Sequence, residues 1–388
     1  MKKELSKREQ KRLEKITQEN IQKFDEEYKK SRIIPKDYKK KILNRILKNS
    51  TIAAIVIVYL IMLNILTDSS FVSLGIFAVL ILALHTSPFS DVNFYIYYTV
   101  CHTFSRLAVP FFAAVSGYYF FNNYSDQKAF KCLKKLLIAY GFWTTLSCAV
   151  DIRFGHEDGN IVRFLLEAYL LKGQHALWYM LAMIYTVLLA MLARKIKVNR
   201  YVMASVVLVF SLFGVLNNAY GTLFERFIIF SKVQSLLSSD LRSGMAFIII
   251  PYFSIGYLIN THSSNLHDNK FYWKMTALFS VLFIAEVAII TFTGVHKNNT
   301  SCFSTFPLIY FLIKACLQTN SKCGRIGQYL SPIANVLYYS HSILMYSIGS
   351  FISSGTVEFI VVCMFAFLIG VVLIVMRSKG IKFAYAIS

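Results

Sequence analysis

Ten apolar segments, separated by charged loops, constrain this chain more than any other feature of its sequence. They are residues 71–88, 104–121, 136–150, 175–192, 201–216, 244–260, 273–290, 304–319, 332–351 and 355–376. A helix of about 20 residues crosses the ~30 Å hydrocarbon core of a bilayer. Only 16% of the residues are charged, against about 25% in soluble domains. We therefore predict an all-α polytopic membrane bundle of about ten transmembrane helices.

The charges on the loops predict the orientation of these segments. If residue 71 enters from the cytoplasm, the predicted inner loops hold most of the lysines and arginines, whereas the outer loops are mixed in sign. Both termini are then cytoplasmic. The net charge of +21 follows from this topology, and we expect no binding to nucleic acid.

The N-terminal region differs in composition from the bundle. Residues 1–50 form a charged arm whose basic amphipathic helix, over 38–48, suits an anionic lipid surface or a cytoplasmic partner. Residues 51–70 hold a short apolar segment, which fits either a re-entrant helix or an extra span. The transmembrane domain follows over 71–376, and 377–388 form a cytoplasmic tail. The arm lacks the apolar core of a signal peptide, so no cleavable leader is expected.

Two polar side chains within apolar sequence are the first candidates for function. Arg106 lies inside the second segment, and an arginine at the bilayer centre costs roughly 2.5–3.5 kcal/mol on insertion scales. His85 lies near the end of the first segment. A neutral imidazole can take a proton from a hydroxyl, and a guanidinium can bind an anion or polarise a carbonyl oxygen. The structural alternatives are an interfacial hydrogen bond for His85 and snorkelling for Arg106.

Four further side chains are candidates for substrate contact: Ser116, Trp178, Glu286 and His341. Ser116 precedes a glycine, which also fits a close helix crossing. Trp178 also fits an aromatic belt at the outer interface. Glu286 falls in mid-segment, where it is protonated, paired with a distant cation or facing water. His341, also in mid-segment, alternatively forms a buried hydrogen bond between helices.

Motifs of soluble catalytic domains are absent from the sequence. It has no P-loop, no Rossmann glycine pattern and no Gly-x-Ser-x-Gly elbow. His262 and His267 do not match a zinc spacing, so no metal is expected. Any chemistry therefore falls within the membrane bundle.

An ordered set of motifs resembles acyltransferase family 3, whose members are integral membrane O-acyltransferases of about ten helices. The motifs are Leu82–Phe89, Arg106–Tyr118, Phe130–Leu137, Leu177–Tyr179, Phe253–Tyr257 and Tyr339–His341. The similarity runs over about 71–376. It is strongest to the branch that includes the membrane domain of the vancomycin-resistance serine racemases.

The resemblance implies an enzyme that moves an acyl group, usually acetyl, from cytoplasmic acyl-CoA to a hydroxyl of an envelope glycan or sugar in a bacterial cell membrane. It implies that His85 is the base. It also implies that Lys131, Lys134 and Lys135 meet the phosphates of CoA. The family places an arginine eleven residues before its histidine, where this chain has Leu74.

Two other functions fit the same residues. One is transport of a small molecule, such as the amino acid serine, with Glu286 and His341 relaying protons. The other is a catalytically decayed relative that acts as a membrane scaffold through residues 1–50. The leucine at position 74 favours this last alternative.

Overall fold

The computed structural model of this chain describes residues 70–91, 97–154, 160–224, 227–236, 244–261, 267–295, 301–319 and 324–388. The predicted arm over 1–50 lies outside these residues. So does the segment over 51–70, apart from its last residue.

Every regular element within the described ranges is a helix, which confirms the predicted all-α class. The α-helices are α1 (Ser70–Thr86), α2 (Ala108–Phe121), α3 (Asp126–Phe154), α4 (Ile161–Leu166), α5 (Trp178–Lys195), α6 (Arg200–Asn218), α7 (Gly221–Phe224), α8 (Ile228–Leu236), α9 (Ile250–Thr261), α10 (Asn269–Thr293), α11 (Thr305–Gln318), α12 (Gly324–Ile348), α13 (Gly355–Ser378) and α14 (Lys382–Ile387). The remaining helical turns are π turns over Tyr98–Phe104, Glu167–Leu171 and Met245–Ile249 and 3-10 turns over Ser105–Leu107, His175–Leu177 and Gly349–Phe351.

Each of the ten predicted apolar segments overlaps one of these helices. Within the described ranges, four helices are both long and apolar enough to cross a membrane: His175–Lys195, Arg200–Asn218, Asn269–Thr293 and Gly355–Ser378. Leu74–Thr86, Met245–Thr261 and Thr305–Gln318 are apolar but shorter. The helices support a membrane protein, and the number of crossings stays a prediction.

Polar caps determine where several of the long helices begin. The side chain of Asn199 accepts a hydrogen bond from the Tyr201 backbone N–H at the start of α6. Asp268 caps α10 and Ser354 caps α13 in the same manner. Such caps satisfy backbone N–H groups that have no partner within the helix. Gly294 ends α10 in the left-handed conformation, with φ of 69°.

A close helix crossing joins α2 to α9 through two glycines. A Cβ atom added to Gly117 would lie 2.1 Å from the carbonyl oxygen of Phe253, and one added to Gly256 would lie 2.2 Å from that of Ala114. Small residues let membrane helices approach at backbone distance. The pair therefore fixes α2, which carries Ser116, against α9.

Replacing Gly117 with alanine is expected to lower the free energy of unfolding by about 1–3 kcal/mol, because the methyl group overlaps a rigid backbone. Gly141→Ala in α3 is the matched control, since its Cβ would meet nothing within 4 Å. Unfolding by denaturing detergent compares the two variants. Equal stability of both would show that the α2–α9 contact is not a backbone contact.

A polar clasp joins the turn after α1 to the start of α13. The Asp91 carboxylate accepts hydrogen bonds from the hydroxyls of Ser354 and Thr356, the latter at 2.6 Å. Both bonds lower the pKa of the Asp91 carboxyl, and the bond from Ser354 has the larger effect. Thr356 also accepts the Phe89 N–H at 2.9 Å. The clasp holds the C-terminal end of α1, where His85 lies.

An apolar cluster packs α1 against α12 and α13. Its buried members are Ala78, Leu82, Ile333, Ala334, Leu337, Val362 and Ala366. Leu74 is partly buried and packs against this cluster. The position where the family carries an arginine is therefore next to an apolar interface in this chain.

Candidate active site

His85 and Arg106 line one cavity of about 220 Å³. His85 is the penultimate residue of α1, and its side chain is exposed to the cavity. Arg106 lies on the 3-10 turn Ser105–Leu107, directly before α2. Apolar and aromatic side chains form much of the remaining wall, among them Val109, Trp178 and Tyr338. His85 and Arg106, the first two candidates from the sequence, thus border the same cavity.

The backbone around Arg106 departs from a regular helix. A π turn over Tyr98–Phe104 and a 3-10 turn over Ser105–Leu107 precede α2, although the sequence predicts one helix from residue 104. Pro110 has no N–H, so it cannot bond the carbonyl of Arg106 four residues before it. This explains why regular α-helical structure begins only at Ala108.

His341 lies against His85. The two ring centroids are 5.1 Å apart, and His341 is fully buried. Its Nδ1 lies 2.6 Å from the backbone oxygen of Tyr338. Its Nε2 is buried and has no hydrogen-bond partner among the described residues. The hydrogen bond of Nδ1 thus lies within α12.

A second cavity, of about 90 Å³, adjoins the first. The two share four lining residues: Ile81, Val109, Tyr179 and Tyr338. Ser116, Asn335 and Tyr339 supply polar groups, and Leu136 lines the cavity as well. Leu136 directly follows Lys134 and Lys135, which are exposed on α3 with Lys131. By the predicted topology, this cavity lies on the cytoplasmic side of His85.

Hydrogen bonds from two other helices hold the segment that brings Trp178 to the cavity. The buried Asp151 carboxylate, on α3, accepts Gln174 and lies 2.8 Å from His175 Nε2. The Tyr338 hydroxyl donates to the carbonyl of Ala176. Sequence reasoning gave neither Asp151 nor Tyr338 a role, because Asp151 lies just beyond the predicted segment 136–150 and a tyrosine within an apolar segment carries no signal by itself.

Two glycines leave room for the same segment. Gly173 has φ of 76°, and a Cβ there would lie 2.6 Å from the Trp178 Cα. A Cβ on Gly244 would lie 2.3 Å from the Trp178 ring. Gly173 thus lies against the backbone of Trp178 and Gly244 against its indole, at the wall of the larger cavity.

Glu286 lies apart from these cavities and lines neither of them. Its carboxylate accepts the backbone N–H groups of Phe303 and Ser304, each at 2.9 Å, and the Ser304 hydroxyl at 2.5 Å. The Tyr220 hydroxyl donates to it at 3.0 Å. Phe303 and Ser304 stand at the start of α11, where a helix dipole favours negative charge. The Glu286 carboxylate therefore lies at a helix terminus, a setting that the sequence analysis did not consider.

Replacing Glu286 with glutamine is expected to reduce the free energy of unfolding by about 1–3 kcal/mol, since hydrogen bonds to a charged acceptor are lost. The variant keeps a side chain of the same size. Glu167→Gln is the control, because it breaks pairs with the exposed Arg163 and Lys172, and such pairs contribute at most about 1 kcal/mol. Thermal unfolding measures both, and equal melting temperatures would refute the capping role.

The described ranges hold no cluster of metal-ligating side chains. No group of three or more His, Cys, Asp or Glu side chains there lies close enough together to hold an ion.

The fold and the cavity describe a helical membrane protein with a histidine and an arginine in one internal space. The chain belongs to acyltransferase family 3, since the family model, described as an acyltransferase domain, matches residues 74–376. This confirms the family predicted from the motifs.

Two curated relatives, both named amino-acid racemase and both from Enterococcus faecalis, are 24% identical over 324 residues and 23% identical over 323 residues. Each alignment covers 78% of this chain but only 44% and 45% of the relatives. The chain therefore spans less than half the length of the curated relatives it matches. No solved structure matches it.

Proposed function

We propose that this protein is a membrane O-acyltransferase that moves an acetyl group from cytoplasmic acetyl-CoA to a hydroxyl of an envelope glycan or sugar. Membership of the acyltransferase family supports the reaction class. The observation that carries the proposal is the shared cavity of His85 and Arg106. His85 can accept a proton and Arg106 can stabilise a negative charge, and transfer of an acyl group to a hydroxyl needs both.

In the proposed reaction, His85 takes the proton of the acceptor hydroxyl as its oxygen attacks the acyl carbon. The carbonyl oxygen then becomes negatively charged, and the Arg106 guanidinium stabilises it. When the tetrahedral intermediate collapses, the carbon–sulfur bond breaks. His85 returns its proton to the departing thiolate, so an ester and free CoA are formed.

The adjoining cavities supply a route for the donor. The nucleotide of acetyl-CoA would stay at the cytoplasmic surface, with its phosphates at Lys131, Lys134 and Lys135. The pantetheine arm would pass through the smaller cavity, where Ser116 is available to hydrogen-bond its amides. The thioester would then reach the larger cavity.

The acceptor is proposed to occupy the larger cavity beside Trp178. An indole gives a flat apolar face with a polar edge, which suits a sugar ring. Contact of Glu286 with substrate stays a prediction, and its hydrogen bonds at the start of α11 favour a structural role. For the same reason they give no support to a proton relay for amino-acid transport. A cytoplasmic partner of residues 1–50 also stays a prediction.

Mass spectrometry of envelope glycans tests the proposal. Host cells that express the protein should carry alkali-labile acetyl esters that are missing from cells with the empty vector. A strain expressing His85→Gln to the same level is the matched control. Identical glycan spectra from wild-type and empty-vector strains would reject glycan acetylation and leave the scaffold alternative, to which Leu74 points.

A further inference from the structure

We infer that His341 is a positioning residue that sets which ring nitrogen of His85 carries the proton. This inference rests on the proposed function, because it gives His85 the tautomer that a base requires. The relevant geometry is the 5.1 Å contact between the two rings, one on α1 and the other on α12.

The tautomer of His341 follows from its own hydrogen bond. Nδ1 lies 2.6 Å from the Tyr338 carbonyl oxygen, and a carbonyl only accepts, so Nδ1 carries a proton. The ring is 0% exposed, and an unpaired charge is costly to bury, so we take it as neutral. In a neutral ring protonated at Nδ1, Nε2 holds a lone pair.

That lone pair is the unusual feature of the site. Nε2 is fully buried, and no described residue donates to it. Buried polar atoms in native proteins nearly always have a partner. The structure forms no hydrogen bond between the two rings. The rings are in contact with their centroids 5.1 Å apart, so a rotation of the His85 ring would bring one of its N–H groups to a hydrogen-bond distance of about 3 Å from Nε2, and this bond is part of the proposal.

An N–H of His85 donated to His341 leaves the lone pair of His85 on its other nitrogen. His85 borders the cavity that also contains Arg106. That nitrogen is then free to take the hydroxyl proton, while the N–H toward His341 is kept throughout the reaction. The arrangement follows the general logic of a base oriented by a third group. The proton passes from hydroxyl to His85 and on to the thiolate, and His341 itself gains none.

Two isosteric variants separate this role from simple packing. His341→Asn places an amide N–H where Nδ1 stands, so it keeps the bond to Tyr338 but offers no acceptor to His85. His341→Gln places an amide oxygen where Nε2 stands, so it keeps the acceptor. His267→Gln is the control, because His267 is exposed before α10 and packs against Phe271 instead.

The first readout is the tautomer of His85, measured by the ring ¹⁵N chemical shifts of histidine-labelled protein in lipid nanodiscs, with the signal assigned by His85→Gln. We expect one tautomer in the wild type and in His341→Gln, and a mixture in His341→Asn. A mixture in the wild type, or one unchanged tautomer in both variants, would overturn the inference. The inference would also be overturned if His85 kept a single tautomer in His341→Asn and showed a mixture in His341→Gln.

The second readout is transfer from radiolabelled acetyl-CoA into alkali-labile product. His341→Asn should lose about 10- to 100-fold in rate, whereas His341→Gln should stay within a few-fold of the wild type. Equal rates in both variants would refute the role. The tautomer measurement needs no turnover. A wild type with a single tautomer and no transfer would therefore count against the proposed function, and not against the His341–His85 contact.

Discussion

Replacing His85 with glutamine is expected to lower the rate of acyl transfer by about 10²- to 10⁴-fold, the range over which general acid–base catalysis contributes. Glutamine fills a similar volume and keeps hydrogen-bonding groups in the cavity, but it cannot take a proton at neutral pH. His85 ends a helix that is packed by α12 and α13 and clasped at Asp91. The variant should therefore fold normally and lose only its acyl-transfer activity.

The measurement is transfer of labelled acetyl into alkali-labile product, at equal amounts of folded protein. His267→Gln controls for loss of a histidine away from both cavities, and it should keep the wild-type rate. If His85→Gln retained more than about one-tenth of the rate, His85 would not be the base. A variant that failed to fold would be recognised by its melting curve before any rate was compared.

Replacing Arg106 with methionine should reduce transfer by about 10²- to 10³-fold, because removing one donor to a developing oxyanion has this effect. Methionine keeps an unbranched chain of similar reach and removes the charge. Arg106→Lys should recover only part of the rate, since an ammonium is a point charge and lacks the planar fork of a guanidinium. Both variants retain Pro110, and with it the break before α2.

Arg163→Gln is the control for Arg106. Arg163 is exposed and pairs with Glu167 at 3.0 Å, away from the cavity. Its loss should leave transfer unchanged. Full activity of Arg106→Met would mean that the guanidinium has no role in stabilising the reaction, and the snorkelling alternative would then be the better explanation.

The course of the helices could be predicted from the sequence because apolar length alone identifies most of them. The segment predicted at 355–376 is the helix Gly355–Ser378, and that at 201–216 is Arg200–Asn218. The irregular stretch from Tyr98 to Leu107 was missed, since π and 3-10 turns depend on backbone bonding that leaves no pattern in hydropathy. The six-residue helix Ile161–Leu166 was also missed, within a predicted loop.

The candidate site could be predicted in part. The cost of placing polar groups in lipid selected His85 and Arg106, whereas Trp178 was selected as an aromatic residue at the outer interface. The structure brings these three to one cavity. The contact between His85 and His341 joins helices far apart in the chain, and no spacing rule predicts it. Glu286 was read from hydropathy as a mid-membrane charge, whereas its surroundings depend on where the next helix starts.

One measurement tests the central claim most directly: the incorporation of label from acetyl-CoA by inverted membrane vesicles, which present their cytoplasmic face to the donor. We predict alkali-labile label in a glycan or sugar product with the wild type, and almost none with His85→Gln or Arg106→Met. Wild-type incorporation by both variants, or none by the wild type in vesicles loaded with envelope glycan on their luminal side, would contradict a His85–Arg106 acyltransferase site.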